Sequence, residues 1–320
     1  MVGCGAATRP LLLTIDAWPV LHTGGPGRVV HRSRVRRAGS WGRCSRAGGS
    51  VRCMATLLIT GAAGRIGSAL RPRLRSAGHD LVLLDEQRPH DPIVAGERFV
   101  PGSVNDPAAV DDALAGVDTV VHLAGIPTEA AWEDLIAANL TGTKNVLERA
   151  AAAGVLRVVQ ASSIHAVGLV PEPLDQPGSV PGDRLPRPDT YYGVTKAAME
   201  LLGSLFADRY EMSIVSARIG AFGALPPTTR GLLMWTSPDD LTRLVLATVA
   251  LRDPGHHVVW ALSRNTGSPA DLSAGERIGF HPLDDASAVL DADARAALPT
   301  DDLSTLGGGM VHQPLGERTS

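Results

Sequence analysis

The chain has little cysteine, little lysine, few aromatics and no long apolar run. Its three cysteines, Cys4, Cys44 and Cys53, all fall in the first 53 of 320 residues, so nothing from Met54 onward can form a disulfide, a thiolate metal site or a cysteine nucleophile. No metal site is expected. No uninterrupted apolar stretch approaches the ~20 residues that a membrane helix needs. The net charge of −3 and the 20% of charged residues exclude a strongly basic nucleic-acid binder and a disordered polyanion. Lysine occurs twice, at Lys144 and Lys196, against 28 arginines. That excess reads as a compositional bias of the genome, which makes a retained lysine stand out.

What is present divides sharply at Met54. Residues 1–53 hold nine arginines against the single Asp16, a net +8, and the remainder therefore carries −11. The first segment is Gly, Arg, Ser and Pro around one apolar patch, Leu11 to Ile15, with no period that would support a core. It is expected to lie outside the fold, either as an upstream extension of the reading frame or as an Arg-rich targeting peptide. Residues 54–320 are expected to form a single domain.

From Thr56 short apolar runs alternate with helical patterns. Strands are expected at Thr56–Thr60, Asp80–Leu84, Arg98–Pro101, Thr119–Leu123, Arg157–Ala161, Ser213–Ala217 and His257–Ala261. Helices are expected at Arg65–Ala77, Pro107–Ala115, Trp132–Ala152, Thr190–Tyr210 and Ser237–Leu251. Strands that are apolar throughout, joined by helices, indicate an α/β fold with a doubly wound parallel sheet covered on both faces. Residues 164–190, including a proline-rich loop from Leu169 to Asp189, and residues 221–320 are left to form the substrate side.

The first strand runs into Gly61-Ala62-Ala63-Gly64-Arg65-Ile66-Gly67 and then a helix, the context in which a glycine-rich turn brings backbone amides and a helix N-terminus to a pyrophosphate. Asp85 ends the second strand, where a carboxylate accepts from ribose hydroxyls and repels a 2′-phosphate; this favours NAD over NADP. The largely apolar run Val120 to Gly125 ends in small residues, which leave room for the cofactor's ribose. Ser163 ends another strand, and Tyr192 and Lys196 follow one helical turn apart on one face. An ammonium beside a phenol favours the phenolate, and a serine hydroxyl can orient a substrate oxygen. Asn139 is a candidate for holding local backbone or a water.

Gly61 to Gly67, Asp85, His122 to Gly125, Asn139, Ser163 and Tyr192-x-x-x-Lys196 together resemble the extended short-chain dehydrogenase/reductases, which include the NAD-dependent epimerase/dehydratases. Within that family the segments Ala161 to Gly168, Arg218 to Gly220, Arg230 to Asp240 and Val259-Trp260 are most similar to bacterial uronate dehydrogenases. The resemblance implies Tyr192 as base, Lys196 as its partner and a cofactor ligand, Ser163 and Asn139 in the catalytic set, and Gly61, Gly64, Arg65, Ile66, Gly67, Asp85, Ser103, Val104, Leu123, Ala124, Gly125, Tyr192 and Lys196 around NAD. It also implies Ser163, His165, Tyr192 and Arg230 as substrate contacts, Arg230 by gripping a carboxylate with its planar guanidinium. The chain departs from the pattern at Ser103, Pro127, Ile164 and Ala221.

The expected activity is thus NAD-dependent oxidation of the C1 hydroxyl of a hexuronic acid, or a related sugar, to an aldarolactone. A cytoplasmic homo-oligomer acting on a small sugar acid is expected, with no nucleic-acid or membrane partner. Two alternatives stay open: a nucleotide-sugar epimerase or dehydratase, and a protein that senses NAD without turnover.

Overall fold

The computed structural model describes residues 44–47, 50–170 and 175–318. The expectations for residues 1–43 lie outside them. Cys44–Ala47 and Ser50–Cys53 form an antiparallel two-stranded ribbon, although the sequence there has no strand period; among the described residues the ribbon pairs with no other strand.

Seven parallel strands make the central sheet: β1 (Thr56–Thr60), β2 (Asp80–Asp85), β3 (Glu97–Pro101), β4 (Thr119–His122), β5 (Arg157–Ser163), β6 (Ser213–Ile219) and β7 (Gly255–Ala261). Their order across the sheet is β7-β6-β5-β4-β1-β2-β3. Chain order therefore reverses between β1 and β4, which opens a crevice at the carboxyl ends of those two strands.

The apolar runs explain the layers. β4 and β6 are buried along their whole lengths. Alternate residues feed two cores, one holding Leu57, Ile59 and Val121 and the other Leu58, Val82 and Val120. The helices α1 (Arg65–Ser76), α2 (Pro107–Leu114), α3 (Trp132–Leu135), α4 (Gly142–Ala153), α5 (Tyr191–Tyr210), α6 (Gly231–Met234) and α7 (Pro238–Ala250) provide the covering elements. α7 starts as its sequence suggests: Ser237 caps the amide of Asp240, followed by Pro238 and two acids. The helix expected at Trp132–Ala152 is interrupted, because Ile136–Thr141 between α3 and α4 is wound as a π-helix. Beyond β7, among the described residues, a two-residue strand at Ala270–Asp271 pairs with Val180–Pro181, and short helices follow, the last a 3₁₀ turn at Gly308–His312.

Candidate active site

The crevice holds two adjoining cavities. The first, of about 440 Å³, is lined by Gly61, Gly64, Asp85, Ser103, Val104, Leu123, Ala124 and Gly125 among others. The second, of about 230 Å³, is lined by Arg65, Ile66, Ser163, His165, Tyr192, Lys196 and Arg230, and also by Pro127, Ile164 and Ala221. Leu123 and Gly125 belong to both. Eight of the residues expected around the cofactor thus gather at the first cavity, while Arg65, Ile66, Tyr192 and Lys196 stand at the second.

The glycine turn is shaped for an anion. Gly61 has φ +68°, and a Cβ there would meet the Ala124 amide nitrogen at 2.7 Å, so the strand and the neighbouring loop pass backbone to backbone. Gly64 caps α1 without any side-chain hydrogen bond, leaving the first amides of that helix open to a ligand. Asp85 accepts from the amides of Ala63 and Gln87 at 2.9 Å each, which fixes its carboxylate at the wall of the cavity. These features fit the pyrophosphate and ribose of a dinucleotide. Gly67 lines neither cavity, contrary to its expected place at the cofactor. A Cβ there would stand 2.7 Å from the carbonyls of Gly61 and Ala62, so its part is to let α1 pack closely on the turn.

Tyr192 sits in the first turn of α5, whose start is tied down on two sides. Thr190 accepts from the Gly193 amide at 3.0 Å, and the fully buried Glu129 accepts from the Tyr192 amide at 2.8 Å. Ser163 faces the same cavity as the phenol and accepts from the His165 amide at 3.2 Å. Lys196 donates to the Ala161 carbonyl at 2.8 Å and stands 5.4 Å from the Tyr192 ring centre. Burial pushes the phenol up to about 12; the nearby Ser163 hydroxyl opposes that rise and the charge of Asp189 adds to it. Burial brings Lys196 down to about 8. The tyrosine therefore stands above its ordinary value, against the lowering expected from its lysine, because loss of water around the ring dominates.

His165 packs edge-on to Tyr192, ring centres 5.9 Å apart, and its Nδ1 lies 2.7 Å from Asp189. Arg230 is not a free cation. Its Nε donates to Asp301 at 2.9 Å and its Nη1 to the Leu306 carbonyl at 2.9 Å. Burial works to raise the Asp301 carboxyl, but the Arg230 hydrogen bond and neighbouring amides hold it below its usual range.

Asn139, expected in the catalytic set, lines neither cavity. From inside the π-helical turn its amide accepts from Ile126 N at 2.7 Å and donates to Ile126 O at 3.1 Å and to Thr195 at 3.0 Å. It holds the Gly125–Ile126 loop against α5, which is a positioning part. Behind it runs a chain of buried hydroxyls. Thr143 donates to the Asn139 carbonyl at 2.5 Å, and His122 lies between Thr143 and Thr60 at 2.9 and 2.8 Å. Because Thr143 gives its own proton away, His122 must donate from Nε2 and accept at Nδ1. Complete burial, with the charge of Lys196, keeps it neutral, lowered to about 3.

The model of the NAD dependent epimerase/dehydratase family matches residues 57–229. The chain belongs to that family. It is 34% identical over 267 residues to a uronate dehydrogenase of Pseudomonas syringae pv. tomato, covering 82% of this chain and 95% of that protein. It is 35% identical to one from Agrobacterium fabrum, covering 82% and 98%. The solved structure of a tyrosine-to-alanine mutant of the uronate dehydrogenase from Agrobacterium tumefaciens, complexed with NAD, matches with a TM-score of 0.75 at 33% identity, over 82% of this chain and 98% of that one. This member of the epimerase/dehydratase family is accordingly an NAD-dependent dehydrogenase.

Proposed function

We propose that the protein oxidises the C1 hydroxyl of a ring-form hexuronic acid, such as glucuronate or galacturonate, to an aldarolactone that water then opens. One observation carries this reading. Ser163, Tyr192 and Lys196 stand in a cavity that shares two residues with the nucleotide-shaped cavity and has the Arg230 guanidinium in its wall. The uronate dehydrogenases to which the chain is similar support the substrate class.

Bound NAD supplies the acceptor for the hydride that leaves C1. Gly61, Gly64 and the start of α1 would hold its phosphates, and Asp85 its ribose. Ser163 hydrogen-bonds the C1 oxygen, and Tyr192 takes the hydroxyl proton as the C1–O bond becomes a carbonyl. Lys196, brought down only to about 8, keeps its charge at neutral pH and stabilises the phenolate. Arg230 has three N–H groups beyond the two already used, enough to receive a carboxylate and orient the ring. The exposed Val194, Leu201, Leu205 and Tyr210 of α5 support association between copies, and the cysteine-free enzyme portion supports a cytoplasmic setting.

Purified protein given NAD and glucuronate or galacturonate should produce NADH, seen by its absorbance. Tyr192→Phe should lose about a thousandfold or more in kcat while still binding NAD. NAD binding without NADH from any uronic acid would sink the reading, and full activity of the Phe variant would sink the mechanism.

A further inference from the structure

Arg230 and His165 are each held from behind by a carboxylate, and the two supports converge on three residues of the carboxyl-terminal tail. Asp301 receives Arg230 at 2.9 Å and is itself fixed by the amides of Asp302 at 2.8 Å and Gly309 at 3.1 Å. Leu306 adds its carbonyl to Arg230 at 2.9 Å. Asp189, whose side chain is 0% exposed, receives His165 at 2.7 Å and the Thr190 hydroxyl at 2.9 Å. Its carboxylate fills the space where a Cβ on Gly168 or Gly307 would stand, and the Gly307 amide donates to the Gly168 carbonyl at 3.0 Å. Gly308 has φ +59°, and a Cβ there would collide with the Arg230 side chain. Three consecutive residues thus touch both supports: Leu306 and Gly308 meet Arg230, and Gly307 between them meets the Asp189 that holds His165.

We propose that residues 306–308, with Asp301 and Asp189, act as a spacer that fixes the separation of His165 from Arg230 and so selects substrates by the span from the reacting C1 to the carboxylate. Asp301 and Asp189 are positioning residues in this scheme. His165 marks the reacting end, because it packs on Tyr192. Arg230 marks the carboxylate end. A guanidinium bound through Nε and one Nη cannot swing, and an imidazole held at Nδ1 presents Nε2 in one direction. The proposal rests on the uronate reading above.

The test is steady-state kinetics of the full chain with NAD and glucuronate, in a cycle of Asp301→Ala, Arg230→Ala and the double variant. Asp301→Ala alone should raise the glucuronate KM about tenfold and leave the NAD KM within about twofold; in the Arg230→Ala background it should add less than about twofold. Gly308→Ala, which keeps every carboxylate, should also raise the glucuronate KM. It should lower the preference for glucuronate over a penturonate one carbon shorter. If Asp301→Ala does not fold, Asp301→Asn enters the same cycle. Independent, multiplicative effects of the Asp301 and Arg230 changes, an equal rise in the NAD KM, or an unmoved span preference in Gly308→Ala overturns the spacer. Wild-type protein that oxidises no uronic acid overturns the substrate reading, and this proposal with it.

Discussion

At the scale of single residues, burial decides which groups carry charge. Tyr192, Lys196 and His122 are all buried, and each is pushed toward its neutral form. For His122 this couples directly to stability. A histidine lowered from 6.5 to about 3 in the folded state binds its proton more readily once unfolded, so its contribution is complete above pH 6.5 and drains away down to about pH 3. The loss over that window is about 4–5 kcal/mol. His79, His256 and His257 shift in the same direction, so a His122→Gln variant isolates this one part. Denaturant titrations at several pH values should give that variant a shallower loss of stability between pH 6.5 and 3; an unchanged slope would mean His122 does not titrate there. Residue identities at the site were legible wherever the signal was local. Ser163 and His165 are two apart, and Tyr192 and Lys196 share one helical turn. Asp189, Glu129 and Asp301 were not legible, since they act on His165, Tyr192 and Arg230 across 24, 63 and 71 positions and nothing in their own neighbourhoods marks them.

At the scale of elements, the central strands β1, β2 and β4 show in the sequence because both faces are covered and they read as apolar runs, whereas the edge strand β3, Glu97–Pro101, is only partly buried and shows through Phe99 and Val100. Observed ends differ from the expected ones by at most two residues, as with β5, which continues through Ser162 to Ser163. The π-helical turn at Ile136–Thr141 left no mark, because one extra residue per turn does not disturb an apolar pattern that short. It nevertheless aims Asn139 at the loop joining the two cavities. Asn139→Ala should strand both polar atoms of the Ile126 backbone, while the Thr195 hydroxyl keeps its bond to the Tyr192 carbonyl, at a cost of about 2–4 kcal/mol. Urea denaturation and an NAD titration should show lower stability and weaker NAD binding together. Lower stability with unchanged NAD affinity would confine Asn139 to the scaffold.

At the scale of the whole molecule, residues 54–320 carry a net −11, and the proposed substrate is an anion. Arg230 is already answered by Asp301, so attraction at long range is weak and the overall field opposes entry. Screening should help: raising salt from about 20 to about 200 mM should lower the glucuronate KM, by about twofold. A KM that climbs with salt would mean that a cationic approach path dominates instead. The fold-level layout was legible from β/α alternation, whereas the role of the tail was not, because it carries almost no regular structure and works through backbone groups. That tail has a practical meaning for anyone producing the protein. Gly316 gives its amide at 2.8 Å to the same Glu129 that receives the amide of Tyr192. A substitution or fusion that displaces the segment around Gly316 would pull on the anchor of the reactive helix.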